Sequence, residues 1–112
     1  MNIASLKKQL QEFAAARDWD QYHNPKNLAM ALSVEASELQ EIFQWLTAEE
    51  SEDIRLKPDH AAEEIADVFI YLVRLADVLN IDIEEAVQHK LTKNAEKYRA
   101  EGPNTPRSKG DL

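Results

Sequence analysis

The chain has 112 residues, a length that holds one domain with a single hydrophobic core. Its composition, 44% hydrophobic and 30% charged, excludes wholesale disorder, and a net charge of −8 disfavours binding to bare nucleic acid. The absence of cysteine excludes disulfides and thiolate zinc sites, and no apolar run approaches the ~20 residues of a membrane span. We therefore expect a cytoplasmic protein with no nucleic-acid or membrane partner.

Four helices are predicted along the chain. Asn24 suits an N-cap and Pro25 a first helical position, so the second helix starts there. Asp82 and Glu85 have the spacing of a capping box and mark the start of the fourth helix. The acidic stretch between the second and third helices is expected to be a loop with at most one short turn. The predicted helices cover approximately residues 3–18, 25–47, 58–79 and 83–99.

These segments predict an all-α fold, a four-helix bundle over residues 1–101 followed by a flexible tail at 102–112. The third helix contains "VFIYLVRLADVL", which is apolar almost all the way round and is interrupted by Arg74 and Asp77. Such a helix must be covered on most sides. Three partner helices do not suffice in so short a chain, so we expect a homo-oligomer formed through the helices, either a dimer or a tetramer.

Acidic residues recur at three-residue steps on the second and third helices. Glu35 falls inside the apolar stripe of the second helix, and Glu38 lies about 60° to one side of it. Glu64 and Asp67 repeat the step beside the apolar line of the third helix. Packing of the two helices along their apolar lines therefore brings four carboxylates together.

Four clustered carboxylates repel one another unless cations lie between them. Hard divalent ions such as Mg²⁺ and Mn²⁺ take oxygen ligands, and Mg²⁺ commonly binds substrate phosphates as well. A single Glu-x-x-Glu is frequent on ordinary solvated helices, whereas two acidic pairs on long helices are more specific. The spacing alone leaves both a metal site and a pair of solvated faces open.

Beyond this spacing, the chain resembles the all-α nucleotide pyrophosphohydrolases that include MazG, and in particular their dCTP-pyrophosphatase-like branch. The hallmark of that family is Glu-x-x-Glu followed by Glu-x-x-Asp, which here are "EASE" at 35–38 and "EIAD" at 64–67. The segments "RDWDQYHNPKNLAMAL", "FQW", "EEIADVFIYLVRLAD" and "KNAEKY" extend the likeness over roughly residues 5–100.

The resemblance implies a MazG-like bundle that hydrolyses a nucleoside triphosphate between the α and β phosphates, giving the monophosphate and pyrophosphate. It implies Mg²⁺ as cofactor, with Mn²⁺ able to substitute, and dCTP or a modified pyrimidine nucleotide as substrate in nucleotide pool sanitation. It also implies roles for individual residues. The metal ligands would be Glu35, Glu38, Glu64 and Asp67. The base would be enclosed by Trp19, His23 and Trp45, and Tyr71 would lie near the sugar. The phosphates would be held by Lys90, Asn94, Lys97 and Tyr98.

The general base stays open. Some relatives carry a second acid just before the first metal ligand, and this chain has Val34 there. Glu41, one further step along the second helix, or a metal-bound hydroxide could activate the water. The candidate catalytic residues are therefore Glu35, Glu38 and Glu41.

Other interpretations compete with these assignments. The two tryptophans could be core aromatics, His23 a loop residue bonded to backbone, and Lys90 and Lys97 part of a solvated stripe. The whole chain could be a non-catalytic helical binding module that engages a partner through its acidic face. A di-iron carboxylate bundle is disfavoured because no histidine has a glutamate three residues before it.

Overall fold

The computed structural model describes residues 1–53, 55 and 58–99, and in these residues it contains five helices and no strand. The predicted all-α class is confirmed. The predicted tail at 102–112 lies outside the described residues. The helices are α1 (Ile3–Ala16), α2 (Pro25–Phe43), α3 (Ala48–Ser51), α4 (Pro58–Val78) and α5 (Ile83–Lys97).

Side-chain caps define where α2 and α5 begin. The Asn24 side chain accepts a hydrogen bond from the Asn27 amide at 2.9 Å, and Pro25 fills the first position of α2, as predicted. Asp82 caps α5 in the same way, accepting from the Glu85 amide at 3.1 Å. Each cap satisfies an amide that has no partner inside its helix.

The second helix ends earlier than predicted, at Phe43, because the chain that follows starts a new helix. Thr47 is the N-cap of α3 and forms a capping box with Glu50: Thr47 Oγ1 accepts from the Glu50 amide at 3.0 Å, and the Glu50 carboxylate accepts from the Thr47 amide at 2.9 Å. The one-turn helix α3 is the short turn expected inside this stretch.

The chain divides into two compact units, Met1–Ile81 and Asp82–Leu112. In the first unit, α4 packs most extensively against α2 and also against α1. The core of this packing is formed by the buried residues Ala14, Leu28, Val73 and Ala76. The helices that carry the two acidic pairs are therefore the two that pack most closely together.

Large apolar side chains remain exposed on α2 and α4 of the single chain. Met30 and Val34 on α2 and Ile65 and Leu72 on α4 are each at least 39% exposed. The nearly all-apolar surface that the sequence predicts for α4 is thus only partly covered within the chain. Among the described residues, no helix is both long enough and apolar enough to cross a membrane.

Candidate functional site

Three carboxylates from α2 and α4 converge within the first unit. One carboxylate oxygen from each of Glu35, Glu64 and Asp67 lies within 4.8 Å of the other two. Glu38, one turn along α2, adjoins both Glu35 and Glu64 closely enough to influence their ionisation. The helix packing thus brings together the four acids that the sequence singled out.

Burial and neighbouring carboxylates raise the pKa of two acids of this cluster. The pKa of Glu35 is raised to about 7 from an ordinary 4.5, first by burial and then by the adjacent Glu38 carboxyl and the charges of Asp67 and Glu64. Glu64 is 8% exposed, and its pKa is also raised, again first by burial and then by Glu38. Both groups would ionise more readily beside a positive charge.

Unpartnered oxygens test whether the cluster fits a metal ion. Glu35 Oε2 and Glu64 Oε2 are buried, and neither has a hydrogen-bond partner among the described residues. Burying a carboxylate oxygen without a partner costs free energy, and a hard cation is a partner that offsets this cost. Because the donor set consists of oxygens only, Glu35, Glu64 and Asp67 fit a hard divalent ion better than a thiophilic one.

A pocket of about 310 Å³ lies beside this cluster, between α1, the turn after it and α4. Asp67 belongs to both features, since it contributes to the acidic cluster and also lines the pocket. The pocket walls are aromatic and aliphatic apart from three polar side chains. The lining residues are Leu10, Phe13, Ala14, Trp19, His23, Asp67, Ile70, Tyr71 and Arg74.

Aromatic rings form one wall of the pocket. The rings of Phe13 and Trp19 meet edge to face with centroids 5.5 Å apart, and the rings of Trp19 and His23 have centroids 6.0 Å apart. Trp19 is 42% exposed, so it is not a core aromatic. A partly open aromatic wall of this kind can stack a planar ligand.

A buried arginine anchors the histidine of the pocket. Arg74 is 8% exposed, and its Nε donates a hydrogen bond to His23 Nδ1 at 3.1 Å. Arg74 also donates to Asp20 at 2.8 Å and, through a longer contact of 3.4 Å, to Asp77. The pKa of His23 is lowered, first by burial and then by the charge of Arg74, while Asp20 opposes the shift.

Two of the predicted site residues lie away from the cluster and the pocket. Trp45 follows the end of α2, is 87% exposed and does not line the pocket, so it is not a core aromatic in this chain. Glu41 is exposed on α2 and is not one of the three clustered acids. The roles of both stay predictions.

The predicted phosphate-binding residues belong to the second unit. Lys90, Asn94 and Lys97 lie on α5 at spacings of four and three residues, which places them on one helix face. Tyr98 caps α5, with its amide donating to the Asn94 carbonyl at 2.8 Å, and Lys97 Nζ lies 5.3 Å from the centroid of the Tyr98 ring. Their function stays a prediction.

Some residues of the pocket, and some partners of those residues, are not predicted by the sequence. Leu10 and Phe13 have the helical spacing of core residues, yet they line the pocket, and Phe13 is 47% exposed. Arg74 and Asp77 can be singled out from the sequence, because two charged residues interrupt an otherwise apolar helix. Asp20 cannot, since an acidic residue in a turn is ordinary.

With this geometry established, comparison with known proteins identifies the class. A sequence model of the MazG-like family matches residues 30–112. The chain belongs to the MazG-like family, which confirms the resemblance inferred from its acidic motifs.

Individual relatives narrow the comparison. The chain is 42% identical over 101 residues to human dCTP pyrophosphatase 1, an alignment that covers 88% of this chain and 59% of the relative. It is 40% identical over 99 residues to the rat protein of the same name, covering 86% of this chain and 58% of the relative. The chain thus spans about three-fifths of the length of the curated relatives it matches.

A solved structure supports the fold over nearly its whole length. The chain is 47% identical to a pyrophosphatase from Archaeoglobus fulgidus and superposes on it with a TM-score of 0.81. The alignment covers 86% of this chain and 91% of that chain. The likeness therefore extends over most of the fold.

Proposed function

We propose that this protein is a metal-dependent nucleoside triphosphate pyrophosphohydrolase that cleaves between the α and β phosphates. One observation carries the proposal: an aromatic pocket of about 310 Å³ adjoins a carboxylate cluster, and Asp67 belongs to both. A nucleotide has the matching construction, a stacking base at one end and metal-binding phosphates at the other. The family membership and the pyrophosphatase relatives agree with this reaction class.

In the proposed reaction the acidic cluster holds the metal and the pocket holds the nucleoside. Glu35, Glu64 and Asp67 are ligands, and Glu38 completes the set from α2. A bound divalent ion supplies positive charge for the phosphate oxygens and lowers the pKa of a coordinated water. Mg²⁺ is the proposed ion because it binds carboxylates and phosphates together, and Mn²⁺ has the same preference for oxygen.

The substrate proposed is dCTP or a modified pyrimidine deoxynucleotide. Trp19 and His23 enclose the base, and Tyr71, one turn beyond Asp67 on α4, lies beside the sugar. The named relatives are dCTP pyrophosphatases, and their name is the reason for choosing cytosine. Lys90, Asn94, Lys97 and Tyr98 are proposed to bind the phosphates, and Glu41 to assist in activating water.

We also propose that the protein is a homo-oligomer. Met30 and Val34 on α2 and Ile65 and Leu72 on α4 are exposed in the single chain, and burying them would stabilise an association of copies. The 87% exposure of Trp45 agrees with a role beside a second copy. Light scattering coupled to size-exclusion chromatography tests the proposal, and a monomer at micromolar concentration would refute it.

A substrate panel tests the enzymatic proposal. The protein is incubated with dCTP, 5-substituted dCTP, dUTP and the other triphosphates, with Mg²⁺ or with EDTA, and both products are quantified. Equal amounts of monophosphate and pyrophosphate from dCTP, only with the metal present, are expected. Release of orthophosphate and a diphosphate would place the cleavage at another bond, and no product from any nucleotide would sink the proposal.

Matched variants connect the reaction to the cluster. Asp67→Asn should reduce turnover by at least about a hundredfold, because it removes a ligand shared by the metal and the pocket. Asp59→Asn, an exposed acid in the first turn of the same helix, should retain wild-type activity. A non-catalytic binding module would instead show no turnover in either variant and no thermal stabilisation by Mg²⁺ and dCTP.

A further inference from the structure

The direction of the hydrogen bond between Arg74 and His23 determines which imidazole nitrogen carries a proton. A guanidinium has only donors, so the 3.1 Å contact from Arg74 Nε requires a lone pair on His23 Nδ1. An imidazolium has no such lone pair, since both of its nitrogens donate. His23 is therefore neutral with its proton on Nε2, and the lowered pKa of His23 agrees with this form.

The arginine is itself held in place from several sides. Its guanidinium donates to Asp20 at 2.8 Å and to Asp77 at 3.4 Å. Asp77 in turn accepts a hydrogen bond from Gln11 at 2.7 Å and pairs with Lys7 at 3.5 Å. Contacts from α1, the following turn and α4 thus fix the orientation of Arg74, and a buried, oriented guanidinium imposes one tautomer on its neighbour.

The remaining nitrogen of His23 is left for a ligand. Its Nε2 has no hydrogen-bond partner among the described residues, and His23 lines the pocket. Where this Nε2–H faces the pocket, it presents a donor and no acceptor. Cytosine has a bare acceptor at ring nitrogen N3, whereas uracil has an N–H there, so a fixed donor opposite N3 favours cytosine.

We propose that Arg74 is a positioning residue that holds His23 as its Nε2–H tautomer, and that this donor makes the pocket favour cytosine over uracil nucleotides. The inference rests on the proposed function for the identity of the ligand. It requires no direct contact between Arg74 and the base. Without the arginine, the imidazole can exchange its proton between the two nitrogens and accept a hydrogen bond from uracil.

Nitrogen NMR of the full chain labelled at its histidines reads the tautomer directly. The three histidine signals are assigned with His60→Gln and His89→Gln variants. In the wild type, the expected spectrum has His23 protonated at Nε2 and bare at Nδ1. In Arg74→Met the expected spectrum is an average of two tautomers. A wild-type His23 that is protonated at Nδ1, or already averaged, overturns the proposal, and that result does not depend on whether Arg74→Met folds.

The same samples measure base preference without turnover. Titration with dCMP and dUMP should give the wild type tighter binding of dCMP, and Arg74→Met should reduce this preference by roughly tenfold, the worth of about one hydrogen bond. Arg74→Lys, which keeps a cationic donor, should retain part of the preference. Arg55→Met, a change at an arginine that pairs with Asp53 two residues away, should leave the preference unaltered.

The outcomes separate this inference from the proposed function. An unchanged dCMP preference in Arg74→Met, or a wild type that binds neither nucleotide, overturns the specificity role. Failure to release pyrophosphate would refute the enzymatic proposal, yet the tautomer and the binding ratio would still be measured.

Discussion

The carboxylates of Glu35 on α2 and Glu64 on α4 approach within 4.8 Å, and each has a buried oxygen with no hydrogen-bond partner in the described part of the chain. When both are ionised, these two carboxylates repel each other. The repulsion opposes the packing that brings them together, because the helices carrying them also form the core. The cluster therefore lowers the stability of the metal-free protein, and a bound cation would restore that stability.

Neutralising one member of this pair should stabilise the metal-free protein. Glu64→Gln keeps the shape of the side chain and removes its charge, so we expect the Tm in EDTA to rise by a few degrees. The same variant should lose most of the Tm increase that Mg²⁺ gives the wild type. Differential scanning calorimetry measures both effects.

Glu63→Gln is the matched control, because Glu63 is exposed on the same helix. It should leave both the Tm in EDTA and the Mg²⁺ effect close to wild type. A fall in Tm for Glu64→Gln in EDTA would show that its charge is already compensated within the protein.

The raised pKa of Glu35 predicts how stability depends on pH. In the metal-free protein the folded state retains a proton on Glu35 up to a pKa of about 7, whereas the unfolded chain releases it near 4.5. The free energy of unfolding contributed by this group therefore falls as pH rises between these values. Glu64, whose pKa is also raised, acts in the same direction, and His23, whose pKa is lowered, acts oppositely below 6.5.

Comparison with Glu35→Gln isolates the contribution of Glu35. Urea unfolding in EDTA at pH 5 and pH 8 should show the variant gaining stability relative to the wild type as pH rises. Mg²⁺ binding to the wild type should strengthen over the same interval, because the ion competes with the proton. A difference between the two proteins that is independent of pH would show that Glu35 titrates normally.

Substitutions at Trp45 and Leu28 should differ strongly in their effect on the free energy of unfolding. Trp45 is 87% exposed, so Trp45→Ala should change the free energy of unfolding of the isolated chain by no more than about 0.5 kcal/mol. Leu28 is 1% exposed, and Leu28→Ala should cost about 2–5 kcal/mol through the cavity it leaves. Urea unfolding measures both.

Kinetics then test the proposed role of Trp45 beside the base. Trp45→Ala should lower kcat/KM for dCTP at least about tenfold, as expected for a lost stacking contact, with the helical content unchanged. Wild-type kcat/KM in Trp45→Ala would remove the residue from the site.

The N-cap of α2 should matter for stability because this helix carries half of the acidic cluster. Asn24→Ala removes the acceptor of the 2.9 Å bond from the Asn27 amide and should cost about 1 kcal/mol. Asn24→Asp keeps an acceptor and should be close to neutral. Thermal unfolding of the three proteins measures the effect; equal losses in both variants would mean that the side chain acts through something other than this bond.

The sequence predicts the acidic cluster well because it depends on local periodicity. Three-residue steps place Glu35 with Glu38 and Glu64 with Asp67 whatever the details of packing, and the apolar lines bring the helices together. Helix starts are equally local, as the caps at Asn24 and Asp82 show. The early end of α2 was missed because the capping box of α3 competes for the same residues.

The pocket was predicted less completely because it depends on contacts between distant segments. An apolar residue such as Phe13 has the same helical spacing whether it faces a core or a cavity. The hydrogen bond between Arg74 and His23 joins residues 51 positions apart, so no local pattern reveals it. The sequence shows an arginine in an apolar helix but does not identify its hydrogen-bond partners.

Glu64, Asp67, Tyr71 and Arg74 follow one another along a single face of α4, at steps of three, four and three residues. Along this face the charge changes from two acids to a base. A molecule bound there would therefore have a preferred orientation along α4. Inserting one residue between Asp67 and Tyr71 would turn everything beyond it by about 100° and shift it by about 1.5 Å. The helical register of α4 thus ties the two ends of the site together, so an insertion or deletion between them would separate the two ends even with every side chain of the site kept.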